Sequence, residues 1–178
     1  MNGAISNILL FLFTLVAAFP AIAQDRRGPS TRQERADAVR LARLLENEPL
    51  NRDAKRVREW FLEWLIEIPD MTVDACPAYL EPLYQKKRKN YASIITDQRL
   101  FSGVAYMIDH PDQADDKVAV NLAGLEGALK AYQAILRKKP DKRWPFLDDL
   151  INKRDRGELK AYVENITATK CAGGGSLK

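Results

Sequence analysis

The sequence predicts an all-α protein, a single domain of about six or seven helices arranged as an irregular bundle or a short stack of antiparallel helical hairpins. Three observations predict it. Apolar residues recur at spacings of three and four over most of the chain, the period of helices buried along one stripe. Most prolines fall between these periodic stretches, where they end one helix or open the next. No alternating β-branched run of strand length occurs.

The first 23 residues stand apart. "ILLFLFTLVAAF" (8–19) is an apolar run of 12 residues, too short for a spanning helix, which needs about 20. "AIA" (21–23) places small residues at −3 and −1 of a cut before Gln24. Together they read as a secretory signal peptide over 1–23, cleaved between Ala23 and Gln24, although its n-region carries no Lys or Arg. The expected product is exported, periplasmic or secreted, and keeps no membrane span. The remaining chain divides into a flexible leader (24–30), the all-α domain (31–171) and a flexible tail (172–178).

Each element has a local reason. "TRQE" (31–34) is a capping box that opens a helix to about Asn47. "EPLN" (48–51) breaks it, and Asn51 is placed to cap the next helix. In that second helix Ala54, Val57, Phe61, Trp64, Leu65 and Ile68 share a face, flanked by Trp60. Glu59, Glu63 and Glu67 fall on the opposite side and read as a solvated ridge. Pro69 ends it. "DMTVDACPAYLEPLY" (70–84) holds two prolines and reads as short helical turns. A helix from Tyr91 to about Asp109 is apolar on more than one face and is the candidate central helix. The next, reaching about Lys138, carries Val118, Leu122, Leu125, Leu129, Tyr132 and Leu136 in a 4-3-4-3-4 seam, beside small rows at Ala123, Gly124, Gly127, Ala128 and Ala131. Such rows let a neighbouring helix come close. Pro145 opens a helix to Lys153, "DRG" (155–157) turns the chain, and a last helix covers about Glu158 to Ile166.

Two cysteines, Cys76 and Cys171, in an exported chain predict one disulfide. It would hold the C-terminal end onto the body.

Two stretches align on proline, "LARLLENEPLNR" (41–52) and "YQAILRKKPDKR" (132–143). Helix-final prolines followed by a new helix are similar to the joints of tetratricopeptide-repeat proteins, as are the spacings of Ala128, Tyr132 and Pro140. The terminating prolines at 49, 69, 111 and 140 do not keep that repeat's period of about 34 residues, and its Trp-Leu-Gly start is missing. The resemblance implies stacked hairpins with a protein-binding face and carries over no site residue.

The chemistry is bounded by what is scarce. One histidine, His110, excludes HExxH and three-histidine zinc sites, and no phosphate-loop, dinucleotide or GxSxG motif occurs. No metal or cofactor is expected. The candidate pocket is the polar set on the central helix, Thr96, Asp97 and Arg99, with Arg99 or Arg137 as partner for the acid, because a lone carboxylate on an apolar helix is costly. The net charge of +4 comes from two basic runs, Lys86, Lys87, Arg88 and Lys89, and Arg137, Lys138, Lys139, Lys142 and Arg143, a candidate patch for an anionic surface. Without stacked aromatics or a helix-turn-helix signature, nucleic acid is not the expected partner. The expectation is an exported helical module that binds a protein or peptide. Its alternatives are a carboxylate-dependent hydrolase and an anionic-surface binder.

Overall fold

A computed structural model describes residues 27–85, 91–172 and 176–177. The expected signal peptide, the start of the leader and the basic run at 86–89 lie outside the described residues. Among those described, seven α-helices follow one another: α1 (Arg32–Asn47), α2 (Ala54–Glu67), α3 (Glu81–Gln85), α4 (Ala92–Asp109), α5 (Lys117–Lys138), α6 (Pro145–Asp155) and α7 (Leu159–Thr169). Short 3₁₀ turns open at Pro77, Pro111 and Pro140, each with proline at a position that needs no N–H. The one pair of strands is two residues long. β1 (Val73–Asp74) lies antiparallel to β2 (Ser176–Leu177), so part of the segment read as a loose tail returns to the body.

The helix starts are set by side chains. Thr31 Oγ1 accepts from the Glu34 N–H at 3.2 Å, and Glu34 accepts from the Thr31 N–H at 2.7 Å, which completes the capping box. The N-cap of α2 is Asp53, two residues after the expected Asn51, which instead closes the turn before the helix. The Asn51 side chain accepts from the Asp53 N–H at 2.8 Å, and α2 begins at Ala54. Asp116 caps α5 by accepting from the Val118 and Ala119 N–H groups at 2.9 and 3.0 Å. Its charge also suits the positive end of the helix dipole. Gly157, at φ +75°, makes the turn between α6 and α7, a conformation that side chains resist.

The tertiary frame is α4. Gly103 meets Val120 and Arg99 meets Gly124, so α4 and α5 run antiparallel. Ala42 and Glu46 of α1 meet Gln98 and Ser102, so α1 lies parallel to α4. Two apolar clusters form on this frame. One joins α1, α2 and the C-terminal half of α4 through Ala38, Leu45, Phe61, Trp64, Phe101 and Val104. Phe61 stacks on Phe101 with ring centres 4.2 Å apart. The other joins the 77–80 turn, α5, α6 and α7 through Tyr79, Leu125, Leu129, Tyr132, Leu147 and Val163. Glu59, Glu63 and Glu67 are exposed on the outer side of α2, as their spacing predicts.

Cys76 and Cys171 are joined by a disulfide with Cα atoms 5.9 Å apart. It lies within the second cluster. Tyr162 reinforces the same junction by donating to the Tyr79 carbonyl at 3.0 Å. The N-terminal approach is tied as well. Ser30 donates its N–H and hydroxyl to Asp70 at 2.9 and 2.8 Å, and Arg35 bridges to Asp70 at 2.7 Å. Burial raises the Asp70 pKa, but these donors outweigh it and hold the carboxyl down at about 2.

Candidate functional site

A buried polar layer lies where α4 passes from one apolar cluster to the other. It contains Glu46, Gln98, Arg99, Ser102 and Asn121. Glu46, 2% exposed, is held from three directions. Ser102 Oγ donates to it at 2.8 Å, Arg43 pairs with it at 2.8 Å, and Lys130 Nζ reaches it at 3.4 Å. Gln98 donates to Ser102 Oγ at 2.9 Å and to the Ala42 carbonyl at 3.1 Å. The carboxylate is therefore paired and hydrogen-bonded, the condition under which burial is tolerated.

Small residues make this layer possible. A Cβ at Gly127 would stand 1.9 Å from Ser102 Oγ and 2.8 Å from Glu46 Oε1, and a Cβ at Gly124 would stand 2.5 Å from the Arg99 carbonyl oxygen. The small rows of α5 thus serve close packing at Gly124 and Gly127, as their pattern predicts. Ser102 is fully buried, and its bond to Glu46 ties α4 to α1.

The expected pocket residues go to three different places. Thr96 turns back to donate to the Ser93 carbonyl at 3.0 Å. Arg99 is buried. It donates to Asn121 Oδ1 at 2.6 Å and to the Cys76 carbonyl at 3.2 Å, and its guanidinium lies 5.2 Å from the Tyr79 ring centre. Asp97 sits between α4 and α2, where burial raises its pKa to about 6 and the Arg58 guanidinium pulls it partly back. The charge acting on Asp97 is Arg58, not the expected Arg99 or Arg137.

Directly above the polar layer runs a groove of about 500 Å³. Its floor is one face of α5, with Val118, Ala119, Leu122 and Ala123 in contact with the hollow and Glu126 and Lys130 continuing it. Arg43 of α1, Tyr106 of α4 and Lys160 of α7 form its walls. The floor is low because Ala119 and Ala123 are small. Val118 and Leu122, the first two members of the predicted seam, line the hollow and are half-buried, while Leu125 and Leu129 are core. A 14-residue step from Asp116 to Lys130 gives the groove a length of roughly 21 Å at 1.5 Å per residue. A second hollow, about 620 Å³, lies against Ala36, Val39 and Ile108, but fewer elements wall it.

The other expected site residues are peripheral. Arg137, Lys138, Lys139 and Arg143 are exposed at the far end of α5, and His110 ends α4 with its ring 4.4 Å from that of Tyr106. Sequence reading missed the Glu46 layer. Its only signal was an acid four residues after Ala42 on an otherwise apolar face. No family model, curated protein or solved structure matches this chain.

Proposed function

We propose that this chain is a helical binding module that takes a short segment of a partner protein along the uncovered face of α5. The observation that carries the reading is the groove itself, an aliphatic floor at Val118 and Leu122 walled by three other helices. A length of roughly 21 Å accommodates about six extended residues or four helical turns. Burying a leucine-sized side chain contributes about 1.5–3 kcal/mol, and association costs offset much of the sum. Two or three such anchors total about 3–9 kcal/mol before those costs, so the interaction is weak, with a Kd of about a tenth of a millimolar or more.

A peptide library displayed on phage, selected on the wild-type protein, tests the reading. Selected peptides are expected to carry paired aliphatic or aromatic residues and to lose at least tenfold in affinity for Leu122→Lys. They should bind Ile66→Lys unchanged, since Ile66 is 75% exposed on the distant α2. Peptides indifferent to Leu122 would refute the groove as the binding face.

The same reading places the module outside the cytoplasm. Its supports are the Cys76–Cys171 disulfide and the apolar run closed by "AIA". No helix among the described residues is long and apolar enough to cross a membrane. Intact mass of the exported protein should correspond to an N-terminus at Gln24. A full-length species in the cytoplasm would refute export.

A further inference from the structure

We infer that the apex formed by the end of α5 and the turn to α6 is a second, independent contact surface, one for an anionic lipid bilayer. Five cations crowd into residues 137–143: Arg137, Lys138, Lys139, Lys142 and Arg143. Two carboxylates answer them. Asp141 pairs with Lys142, and Asp148 lies 3.5 Å from Arg143. Arg137, Lys138 and Lys139 are exposed and form no ion pair among the described residues. Three adjacent cations exceed what one helix terminus needs to offset its dipole, an effect confined to the last turn.

The apex is built rigidly. Trp144 is buried, and its N–H donates to the Tyr132 hydroxyl at 2.7 Å. That hydroxyl in turn donates to Asp148 at 3.0 Å. Burial is the main reason the Tyr132 pKa rises to about 12, so this latch keeps its proton across the physiological range. The cations are thus mounted on a fixed turn, and little ordering is needed to present them together.

The surface fits a bilayer better than a nucleic acid. Single-stranded nucleic acid is held by exposed aromatic platforms along a cationic groove. Here Trp144 is turned inward and the basic residues occupy one short apex. A planar anionic surface asks only for clustered charge within a Debye length, about 8–10 Å. Among the described residues no large apolar side chain is exposed at the apex to insert, so the contact is electrostatic and peripheral. The site lies at the opposite end of α5 from the groove floor and does not depend on the groove reading.

Vesicle co-sedimentation tests it, using the purified protein with its N-terminus defined by intact mass. The vesicles are phosphatidylcholine alone or with about a third phosphatidylglycerol. Binding to the anionic vesicles only is expected, with loss on raising salt from 0.1 to 0.5 M, because screening shortens from about 10 Å to under half that. Each membrane-facing cation contributes roughly a fivefold factor, so Arg137→Gln/Lys138→Gln/Lys139→Gln should bind about a hundredfold more weakly. Glutamine keeps helix propensity and adds no charge against the dipole. The control Arg52→Gln/Lys55→Gln/Arg56→Gln removes equal charge elsewhere and should bind as wild type. Equal loss in both triple variants would reduce the effect to net charge and overturn the assignment. So would equal binding to neutral vesicles, or tighter binding to duplex DNA with the same dependence on Arg137–Lys139. If the apex variant loses its helical circular dichroism, the salt titration of the wild type decides, and salt-insensitive sedimentation overturns the proposal.

Discussion

Replacing Gly127 with alanine asks how closely α4, α5 and α1 have to meet. In an open helix the change is favourable by about 0.8–1 kcal/mol, because glycine loses more backbone freedom on folding. Here the new Cβ would stand 2.4 Å from Ser102 Cβ and 1.9 Å from Ser102 Oγ. Carbon atoms pack best at about 3.5–4.0 Å, so the helices must part by more than an ångström or Ser102 must leave its place. Overpacking of that kind costs about 1–3 kcal/mol. Displacing Ser102 also takes a donor from the buried Glu46 carboxylate, a further cost of about 1–3 kcal/mol. Subtracting the propensity gain leaves a net destabilisation of about 3 kcal/mol. Gly103, on the facing helix, is the internal control. Its Cβ would meet Val120 at 3.4 Å, an ordinary contact, so Gly103→Ala should keep most of the propensity gain.

Urea unfolding followed by far-ultraviolet circular dichroism reads both variants. For a domain of this size, 3 kcal/mol corresponds to a Tm lower by roughly 6–12 °C. Ser102→Gly in the Gly127→Ala background removes the Cβ that clashes. The double variant should therefore be more stable than additivity allows, by over about 1 kcal/mol. A neutral or stabilising Gly127→Ala, or an additive double variant, would show that the helices are not in this register.

Asp97→Asn should stabilise the protein by about 1–2 kcal/mol at pH 7, allowing for the screening of a partly exposed group, and by nothing below pH 4. The sign follows from its raised pKa: between about 4 and 6 the folded chain holds a proton that the unfolded chain has released, so the wild type loses stability as pH rises through that window. Asp70 acts oppositely, its contribution being present above about 4 and lost as pH falls toward 2; urea midpoints from pH 3 to 7 resolve the two. Cys76→Ser/Cys171→Ser should lower stability by about 4–5 kcal/mol, as the chain-entropy cost of a loop of this length, and reduction should not destabilise that variant further. Leu129→Ala should cost about 2–5 kcal/mol in urea while Glu63→Ala stays within about 0.5, and similar losses would mean that the faces of α5 and α2 are misassigned.

Much of the fold was legible because each helix is specified locally. The capping box at Thr31, the proline openings and the apolar stripe of α2 depend on residues within a few positions of one another. The disulfide was legible from a count of two cysteines in a chain read as exported. What was not legible depends on pairs far apart in sequence. Asp97 meets Arg58 only because α2 folds across α4. Glu46 becomes buried only because α5 brings Gly127 against Ser102. The groove has the same origin: the periodicity of α5 predicts one seam, but how α1, α4 and α7 are placed around it decides that Val118 and Leu122 line a hollow. Pattern along one helix shows which side is apolar, not whether anything covers it.

The groove and the buried layer beneath it are one construction. Arg43 and Lys130 stand on the groove, yet both are already committed to Glu46, and Arg43 also approaches Asp109 at 3.6 Å. An anionic side chain from an occupant would have to share these cations with a carboxylate that water cannot reach. Whatever it gained there would be offset by weaker compensation of Glu46, which the interior penalises strongly. The charges on this wall therefore hold the groove's shape more than they attract a ligand. Leu122 has no such second duty. Removing Lys130 should accordingly lower both folding stability and binding, whereas truncating Leu122, half-buried at the edge of the second cluster and free of the polar layer, should lower binding more than stability.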